Sequence, residues 1–134
     1  MALVGGGGAG NTVNPSGTGK GLNYVGEFAY AYSGTISVDN NEAILLEFDT
    51  GPSVIQADAR FAYGAASGDD YLYKVYMNDE VILADASGGT TQAHWFPQYK
   101  FIIPPYTKVK LTAANITDTT ANDQGVVVSG RVYA

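Results

Sequence analysis

A glycine spacing typical of dinucleotide-binding loops occurs near the start of the chain, where residues 5–10 match the pattern G-x-G-x-x-G. That loop binds a pyrophosphate only when a buried strand precedes it and a helix follows it. Four residues precede the pattern, and Pro15 lies where the helix would have to begin. Gly19-Lys20 resembles the end of a P-loop, but Gly21 replaces the Ser or Thr that a P-loop requires. The sequence therefore predicts no nucleotide site.

The single histidine, His94, lies in the segment Ala-His-Trp-Phe-Pro, and the chain has no cysteine. One histidine without cysteine supports at most a mixed carboxylate metal site, and the spacing of its neighbours provides none. We interpret the segment as an aromatic strand edge or loop. The open alternative is a binding or subunit contact through His94, Trp95 and Phe96, because Trp and Tyr are favoured anchors at interfaces.

Two acidic stretches contain oxygen ligands of the kind that Ca²⁺ binds, namely Asp69-Asp70 and the segment from Asp118 to Asp123. Neither stretch repeats its ligands at the spacing of a calcium-binding loop, so we interpret both as solvated turns. The chain also lacks a convergent set of acid and base residues. We therefore expect no enzymatic activity, no metal and no cofactor.

The charges of the chain argue against nucleic acid as a partner. The net charge is −6, and the seven Lys and Arg residues are scattered singly, so no basic stripe is available to bind phosphates. No apolar run approaches the ~20 residues that a membrane-spanning helix needs, so we expect no membrane contact. The first four residues lack the charged region of a signal peptide. We expect the protein to be made and used in the cytoplasm, or to leave it by lysis.

Residues 1–21 are a separate compositional unit, which we call the N-terminal arm. It has glycine at positions 5–8, 10, 17, 19 and 21, no aromatic residue, and Lys20 as its one charge. Ordering one residue costs ~1–2 kcal/mol, whereas burying a Val or Leu side chain returns ~1.5–3 kcal/mol. Because only Leu3, Val4 and Val13 are available for burial, we expect the arm to order only against another surface, through main-chain hydrogen bonds. Twenty extended residues reach about 65–70 Å, far enough to contact another subunit.

Residues 22–134 show the alternation of apolar and polar side chains that is typical of β-strands. In the clearest segment, 69–86, Tyr71, Tyr73 and Val75 share one face, and Asn78-Asp79 tolerate the positive φ of a tight hairpin turn. About eight such strands follow one another with short polar turns between them, and no stretch has helical periodicity over two turns. The pattern predicts an all-β fold: an eight-stranded antiparallel jelly-roll sandwich over residues 22–134, with the arm extending from it.

The alternation also predicts which side chains face the core. In the first long strand the predicted inward residues are Phe28, Tyr30, Tyr32, Gly34, Ile36 and Val38, with a bend at Ser33-Gly34. The other predicted inward residues are Ile44, Leu46 and Phe48; Ile55, Ala57, Ala59, Phe61 and Tyr63; Val109, Leu111 and Ala113; and Val126, Val128 and Val132.

Three segments carry a resemblance to a known family: residues 75–83, Val-Tyr-Met-Asn-Asp-Glu-Val-Ile-Leu; residues 101–109, Phe-Ile-Ile-Pro-Pro-Tyr-Thr-Lys-Val; and residues 127–133, Val-Val-Ser-Gly-Arg-Val-Tyr. Over residues 24–134 the chain resembles the small jelly-roll decoration, or cement, proteins of tailed bacteriophage heads. The resemblance is one of pattern and includes no diagnostic motif. It implies a non-catalytic homotrimer on the outer capsid surface of the virion, assembled in the host cytoplasm. Its implied partners are the major capsid protein and neighbouring copies of itself.

Under this hypothesis the arm and the outward aromatic residues contact the shell and neighbouring subunits. The candidate contact residues are Leu3, Val4, Val13, Tyr24, Tyr76, His94, Trp95, Phe96, Arg131 and Tyr133. The alternative is a receptor- or carbohydrate-binding β-sandwich module of a phage fibre, in which Trp95, Phe96 and nearby tyrosines bind the ligand.

Overall fold

Two antiparallel β-sheets make up the part of the chain that the computed structural model describes, residues 22–63, 69–88 and 98–133. These residues contain no helix, and therefore none that is long and apolar enough to cross a membrane. The strands are β1 (Asn23–Val25), β2 (Phe28–Tyr32), β3 (Ile36–Val38), β4 (Ala43–Asp49), β5 (Val54–Tyr63), β6 (Asp70–Met77), β7 (Glu80–Gly88), β8 (Gln98–Ile103), β9 (Lys108–Asn115) and β10 (Asn122–Tyr133).

The six-stranded sheet has the order β1-β2-β10-β5-β8, with β3 also pairing with β10, and the four-stranded sheet has the order β4-β9-β6-β7. The prediction of an all-β sandwich is confirmed, whereas the predicted count of eight strands was wrong, because the described residues form ten. Both additional strands arise at the start of the sandwich. Asn23–Val25 pairs with β2 as a short hairpin strand, and Gly34, with φ of +74°, divides the predicted first strand into β2 and β3.

The core lies between the two sheets, and both supply large side chains to it. Phe61 of the six-stranded sheet is 0% exposed, and Tyr71 and Tyr73 of the four-stranded sheet are 1% and 0% exposed. The ring centroids of Phe61 and Tyr73 are 4.5 Å apart. Contacts of this kind between the two sheets fill the interior at native packing density.

The hydroxyl groups of the two buried tyrosines reach across the core to the six-stranded sheet. Tyr71 donates a hydrogen bond to the carbonyl oxygen of Val38 at 3.0 Å, and Tyr73 donates one to Oε1 of Gln124 at 2.7 Å. A buried phenol requires such a partner. These bonds therefore fix how the two sheets lie against each other.

The predicted central hairpin is confirmed. β6 and β7 pair from Asp70 with Gly88 to Met77 with Glu80, and the turn between them has φ of 51° at Asn78 and 69° at Asp79. The predicted inward faces of β6, β9 and β10 are also confirmed, with Val132 only partly buried, and that of β5 is confirmed from Ile55 to Phe61. The inward prediction for the Tyr63 side chain lies outside what the structure describes.

The predicted inward face of β2 was wrong. Phe28 and Tyr32 are exposed and Tyr30 is partly buried, whereas the two alanines between them are 2% and 0% exposed. The alternation changes at Gly34, so β3 returns to the predicted face. The backbone turn at Gly34, with φ of +74°, separates the two parities, and the alanines take the inward positions of β2.

The inward prediction for Ile44 in β4 was also wrong. Ile44 is 50% exposed, while Leu45, Leu46 and Phe48 are buried. The register with β9 shifts between Ile44 and Leu46, so Leu45 is the extra residue of a β-bulge. A bulge exchanges the faces on either side of it.

The N-terminal arm and its boundary with the sandwich lie outside the described residues, as do residues 64–68, 89–97 and 134. The predictions made for these segments stay predictions.

Candidate interaction surface

Large apolar side chains cluster on the outer face of the six-stranded sheet. We call Val25, Phe28, Tyr30, Tyr32 and Val127 the aromatic face. Val25 and Phe28 pair across β1 and β2 and are 60% and 57% exposed, and Tyr32 and Val127 pair across β2 and β10. Tyr30 lies between these pairs, with its ring centroid 5.2 Å from that of Tyr32. A contiguous apolar surface rimmed by polar residues is typical of a binding face.

Polar side chains on β5 and β8 border the aromatic face on its other side. Arg60 donates a hydrogen bond to Oε1 of Gln98 at 3.0 Å, and Nε2 of Gln98 donates to Oδ2 of Asp58 at 2.8 Å. Asp58 is the cross-strand neighbour of Ser129, which in turn is the neighbour of Tyr30. Rings and hydrogen-bonding groups thus lie side by side on one sheet.

A groove of about 450 Å³ follows this border between rings and polar groups. It is lined by the rings of Phe28, Tyr30 and Tyr32 and by the polar side chains of Asp58, Ser129 and Arg131. Gly130 also lines it, where β10 and β5 approach so closely that a Cβ on this residue would meet the carbonyl oxygen of Gln56 at 2.4 Å. Such an approach of two backbones requires glycine.

Arg131 and Tyr133, two of the predicted contact residues, both lie on this outer face. The Arg131 guanidinium donates to Oε1 of Glu27 at 2.6 Å, and its Cζ lies 5.6 Å from the centroid of the Tyr133 ring. The Tyr133 hydroxyl donates to Oε1 of Gln56 at 3.2 Å. Exposed pairs of this kind add little stability, but they hold the guanidinium beside the groove.

The outer face of the four-stranded sheet contains Tyr76, another predicted contact residue, within a polar cluster. The hydroxyls of Tyr76 and Thr112 both donate to Oε2 of Glu42, the former at 2.7 Å. Lys110 Nζ lies 4.4 Å from the centroid of the Tyr76 ring. Tyr76 therefore points outward as predicted, but its polar group is already bonded within its own chain.

The groups around Glu42 favour its ionised form and lower the pKa of its carboxyl group. Burial alone would raise that pKa, but the hydrogen bonds from Thr112 and Tyr76 lower it below its ordinary value. The positive charges of Lys74 and Lys110 act in the same direction. The bond to Glu42 conversely raises the pKa of Tyr76, with a smaller contribution from burial.

Tyr24 packs partly against the core. Burial raises the pKa of its hydroxyl, and a hydrogen bond with the main chain of Gly51 offsets part of that rise. The other six predicted contact residues, Leu3, Val4, Val13, His94, Trp95 and Phe96, lie outside the described residues.

The two acidic stretches considered for Ca²⁺ meet at Asn115. Its Nδ2 lies 3.4 Å from Oδ2 of Asp69 and 3.4 Å from Oδ1 of Asp118, and Asn122 donates to the same oxygen of Asp69 at 2.8 Å. These carboxylates accept hydrogen bonds from amide groups, as in an ordered turn. Among the residues that the structure describes, no three acidic or histidine side chains are grouped to hold a metal.

The sequence reasoning missed the aromatic face because it assigned the tyrosines of β2 to the core. Ala29 and Ala31 offered an equally regular alternation of the opposite parity, and Gly34 offered a place for the alternation to change. Those two signals show that the opposite parity was equally open, but they do not choose between the two.

No protein-family model matches the sequence, and no curated protein is detectably similar to it. Solved structures of a viral capsid protein are among those that share its fold. VP2 of a subviral particle of infectious bursal disease virus superposes with a TM-score of 0.55 at 12% identity, covering 78% of this chain and 32% of VP2. A chain of the T13 particle of the same virus gives 0.53 at 12% identity, with 78% and 31% covered.

A third structure, from the disulfide-linked pili of Bacillus endospore appendages, gives a TM-score of 0.49 at 8% identity and covers 90% of this chain and 97% of that one. This value is too low to support an argument. The chain spans about a third of the length of the two viral chains. At 12% identity the likeness to them shows a common fold and nothing further.

Proposed function

We propose that the protein is a non-catalytic structural component of a virion: a decoration protein that binds the outer surface of a bacteriophage capsid and stabilises it. The observation that carries the proposal is the aromatic face, where Phe28 and Val25 stand 57% and 60% exposed beside two tyrosines. A contiguous apolar surface is stabilised when a partner covers it. The viral particles from which the two similar structures come support a virion role by fold analogy.

The proposal includes a jelly-roll topology. When β2 and β3 are counted as one strand broken at Gly34, and β1 as an added hairpin strand, eight strands remain. Their orders are then β2/β3-β10-β5-β8 and β4-β9-β6-β7. Counted from one to eight along the chain, the first strand lies beside the last and the third beside the sixth in one sheet, and the second lies beside the seventh and the fourth beside the fifth in the other. This is how a jelly roll interleaves its two four-stranded sheets.

We further propose a homotrimer as the binding unit, with the major capsid protein as its partner. Three linked copies raise avidity without stronger individual contacts, because the second and third contacts become intramolecular. The net charge of −6 keeps the unbound protein soluble.

The test is co-sedimentation of the purified protein with expanded shells of its phage. Phe28→Asp places a charge on the aromatic face, and we expect it to weaken shell binding at least about tenfold. Ile44→Asp is the matched control, because Ile44 is 50% exposed on the other sheet, and it should bind as the unmodified protein does. A rigid monomer at micromolar concentration without affinity for shells contradicts the proposal, as does equal binding by the two variants.

The groove favours a second candidate, a carbohydrate-binding module. Tyr30 and Tyr32 provide ring faces for a sugar, and Asp58, Ser129 and Arg131 provide hydrogen-bonding groups for its hydroxyls. A glycan array separates the two functions, since a decoration protein gives no sugar-dependent signal. A signal that Tyr30→Ala abolishes would favour the carbohydrate module.

A further inference from the structure

One edge of the four-stranded sheet is a long strand that pairs on one side only. Among the described strands, β7 pairs with β6 and with no other. Sheet edges are usually protected by Lys, Pro or short length, yet β7 has nine residues and contains no Lys, Arg or Pro. Val81 and Ile82 are 49% and 45% exposed on it. A register shift isolates Ile82, and the six residues after it pair regularly with β6.

The other edges are better protected. β1 has three residues, and β8 has six and includes Lys100. β4 carries Glu47 and Asp49 and is interrupted by its bulge. β7 is thus the longest edge among the described strands.

The one charge in the middle of β7 is already bonded. Asp85 accepts a hydrogen bond from the Tyr99 hydroxyl of β8 at 2.7 Å. This bond leaves Glu80, beside the hairpin turn, as the other charge of the strand. It also places β7 on the β8 side of the sandwich, and β1 lies at the opposite edge of the six-stranded sheet.

We propose that β7 is extended by main-chain pairing with the N-terminal arm, residues 1–21, of a second copy of this chain. The arm is poor in side chains, so main-chain hydrogen bonds are its means of attachment. The pairing links copies to each other whether or not a shell is bound.

The length and position of the arm fit this occupant. If Leu3-Val4 pairs with β7, the seventeen residues from Gly5 to Gly21 form the connection. A glycine-rich connection of that length spans about 20–25 Å on average and about 55 Å when extended. It joins the sandwich at Leu22, beside β1 and away from the β7 edge of its own copy. A head-to-tail contact of this kind closes into a ring when the rotation between copies allows it.

The chain has no cysteine, so engineered cysteines report this contact without background. Full-length Val4→Cys is mixed with full-length Ala84→Cys, which is exposed on β7, and disulfide formation is followed by non-reducing gel electrophoresis. Because each protein has a single cysteine, a disulfide between the two variants must join two copies. Val4→Cys mixed with Ile44→Cys, on the opposite edge strand, is the control. We expect the β7 pair to link at least about tenfold faster, because pairing raises the effective concentration.

Val81→Cys and Ala86→Cys test other registers of the same pairing. If these two variants and Ala84→Cys all form the disulfide with Val4→Cys no faster than Ile44→Cys does, the proposal is overturned. A Val4→Cys/Ala84→Cys double variant that links only within one chain would overturn it too, since the arm would then pair with its own sandwich.

A second measurement uses Ala84→Lys/Ala86→Lys, which adds charge to the edge. This variant should prevent the pairing and so lower the hydrogen-exchange protection of the β7 amides about tenfold or more. Unchanged protection would contradict the proposed pairing. Neither experiment uses a shell, so failure here is distinct from failure of the proposed function.

Discussion

The two outer faces of this sandwich treat their large side chains differently. On the four-stranded sheet, the Tyr76 hydroxyl and Thr112 both bond to Glu42, and Lys110 stacks on the Tyr76 ring. On the six-stranded sheet, Phe28 and Tyr32 are 57% and 42% exposed. The first face bonds the polar groups around Tyr76 to one another, whereas the second leaves a contiguous apolar surface that a partner could cover.

The difference separates stability from binding. Hydrogen bonds within the four-stranded face contribute to folding, because breaking one leaves a polar group short of a partner. The rings of the aromatic face contribute little to folding while they face water. We therefore expect substitutions on the two faces to affect different measurements.

The largest effect is expected at Gly130, which allows β10 to approach β5 beneath the groove. In Gly130→Ala the new Cβ would meet the Gln56 carbonyl oxygen at 2.4 Å, and overpacking of this kind costs about 1–3 kcal/mol. Urea denaturation should show a lower midpoint with an unchanged slope. Ser129→Ala, at the adjacent exposed position, is the control and should change the free energy of unfolding by less than about 0.5 kcal/mol. Equal stability of the two variants would show that the strands can move apart freely.

A smaller effect should separate the two faces directly. Tyr76→Phe removes a donor from Glu42, and we expect it to lower the free energy of unfolding by about 0.5–1 kcal/mol while leaving shell binding unchanged. Tyr32→Ala should do the reverse, with near-native stability and weakened binding. Both variants are measured by urea denaturation and by shell co-sedimentation. If both lost stability and binding together, the contrast between the faces would be wrong.

The smallest effect concerns pH. The folded state lowers the pKa of Glu42, so the stabilisation is present above the unfolded pKa of about 4.3 and is lost as the pH falls through the folded pKa. Glu42→Gln should therefore reduce the fall in thermal midpoint between pH 5 and pH 3, each about one unit from the unfolded pKa. Glu80→Gln in the β6–β7 hairpin controls for the change in net charge. Parallel pH profiles for the native protein and Glu42→Gln would contradict the assignment.

The sequence predicted those strands whose alternation runs without interruption. In three stretches the expected alternate residues face the core: Ile55 to Phe61 in β5, Tyr71 to Val75 in β6 and Val109 to Ala113 in β9. In each case every second residue is apolar from one end of the stretch to the other, so only one parity fits. Asn78-Asp79 in turn identified the hairpin, because few other residues adopt its backbone conformation.

The wrong predictions of inward faces occurred where two patterns of alternation were equally regular. In β2, alanines and aromatic residues alternate, and only the packing of residues distant in sequence against β2 decides which set fits inside. In β4, Leu45 follows Ile44 and precedes Leu46, and the register with β9 decides which of the three is the extra residue. Competition for interior volume and the register between strands are tertiary properties, so neither can be deduced from one segment alone. The aromatic face was missed for this reason.

Gly34 has a consequence for the evolution of this surface. Because the alternation changes there, the identity of the face depends on the number of residues between β2 and β3. Inserting or deleting a single residue in β2 before Gly34 would turn the alanines outward and drive the rings into a filled interior. Length changes would be better tolerated at Asn40-Asn41, which are both exposed, than at this position. New partners would therefore be acquired by exchanging the rings themselves, while the spacing that presents them stays constant.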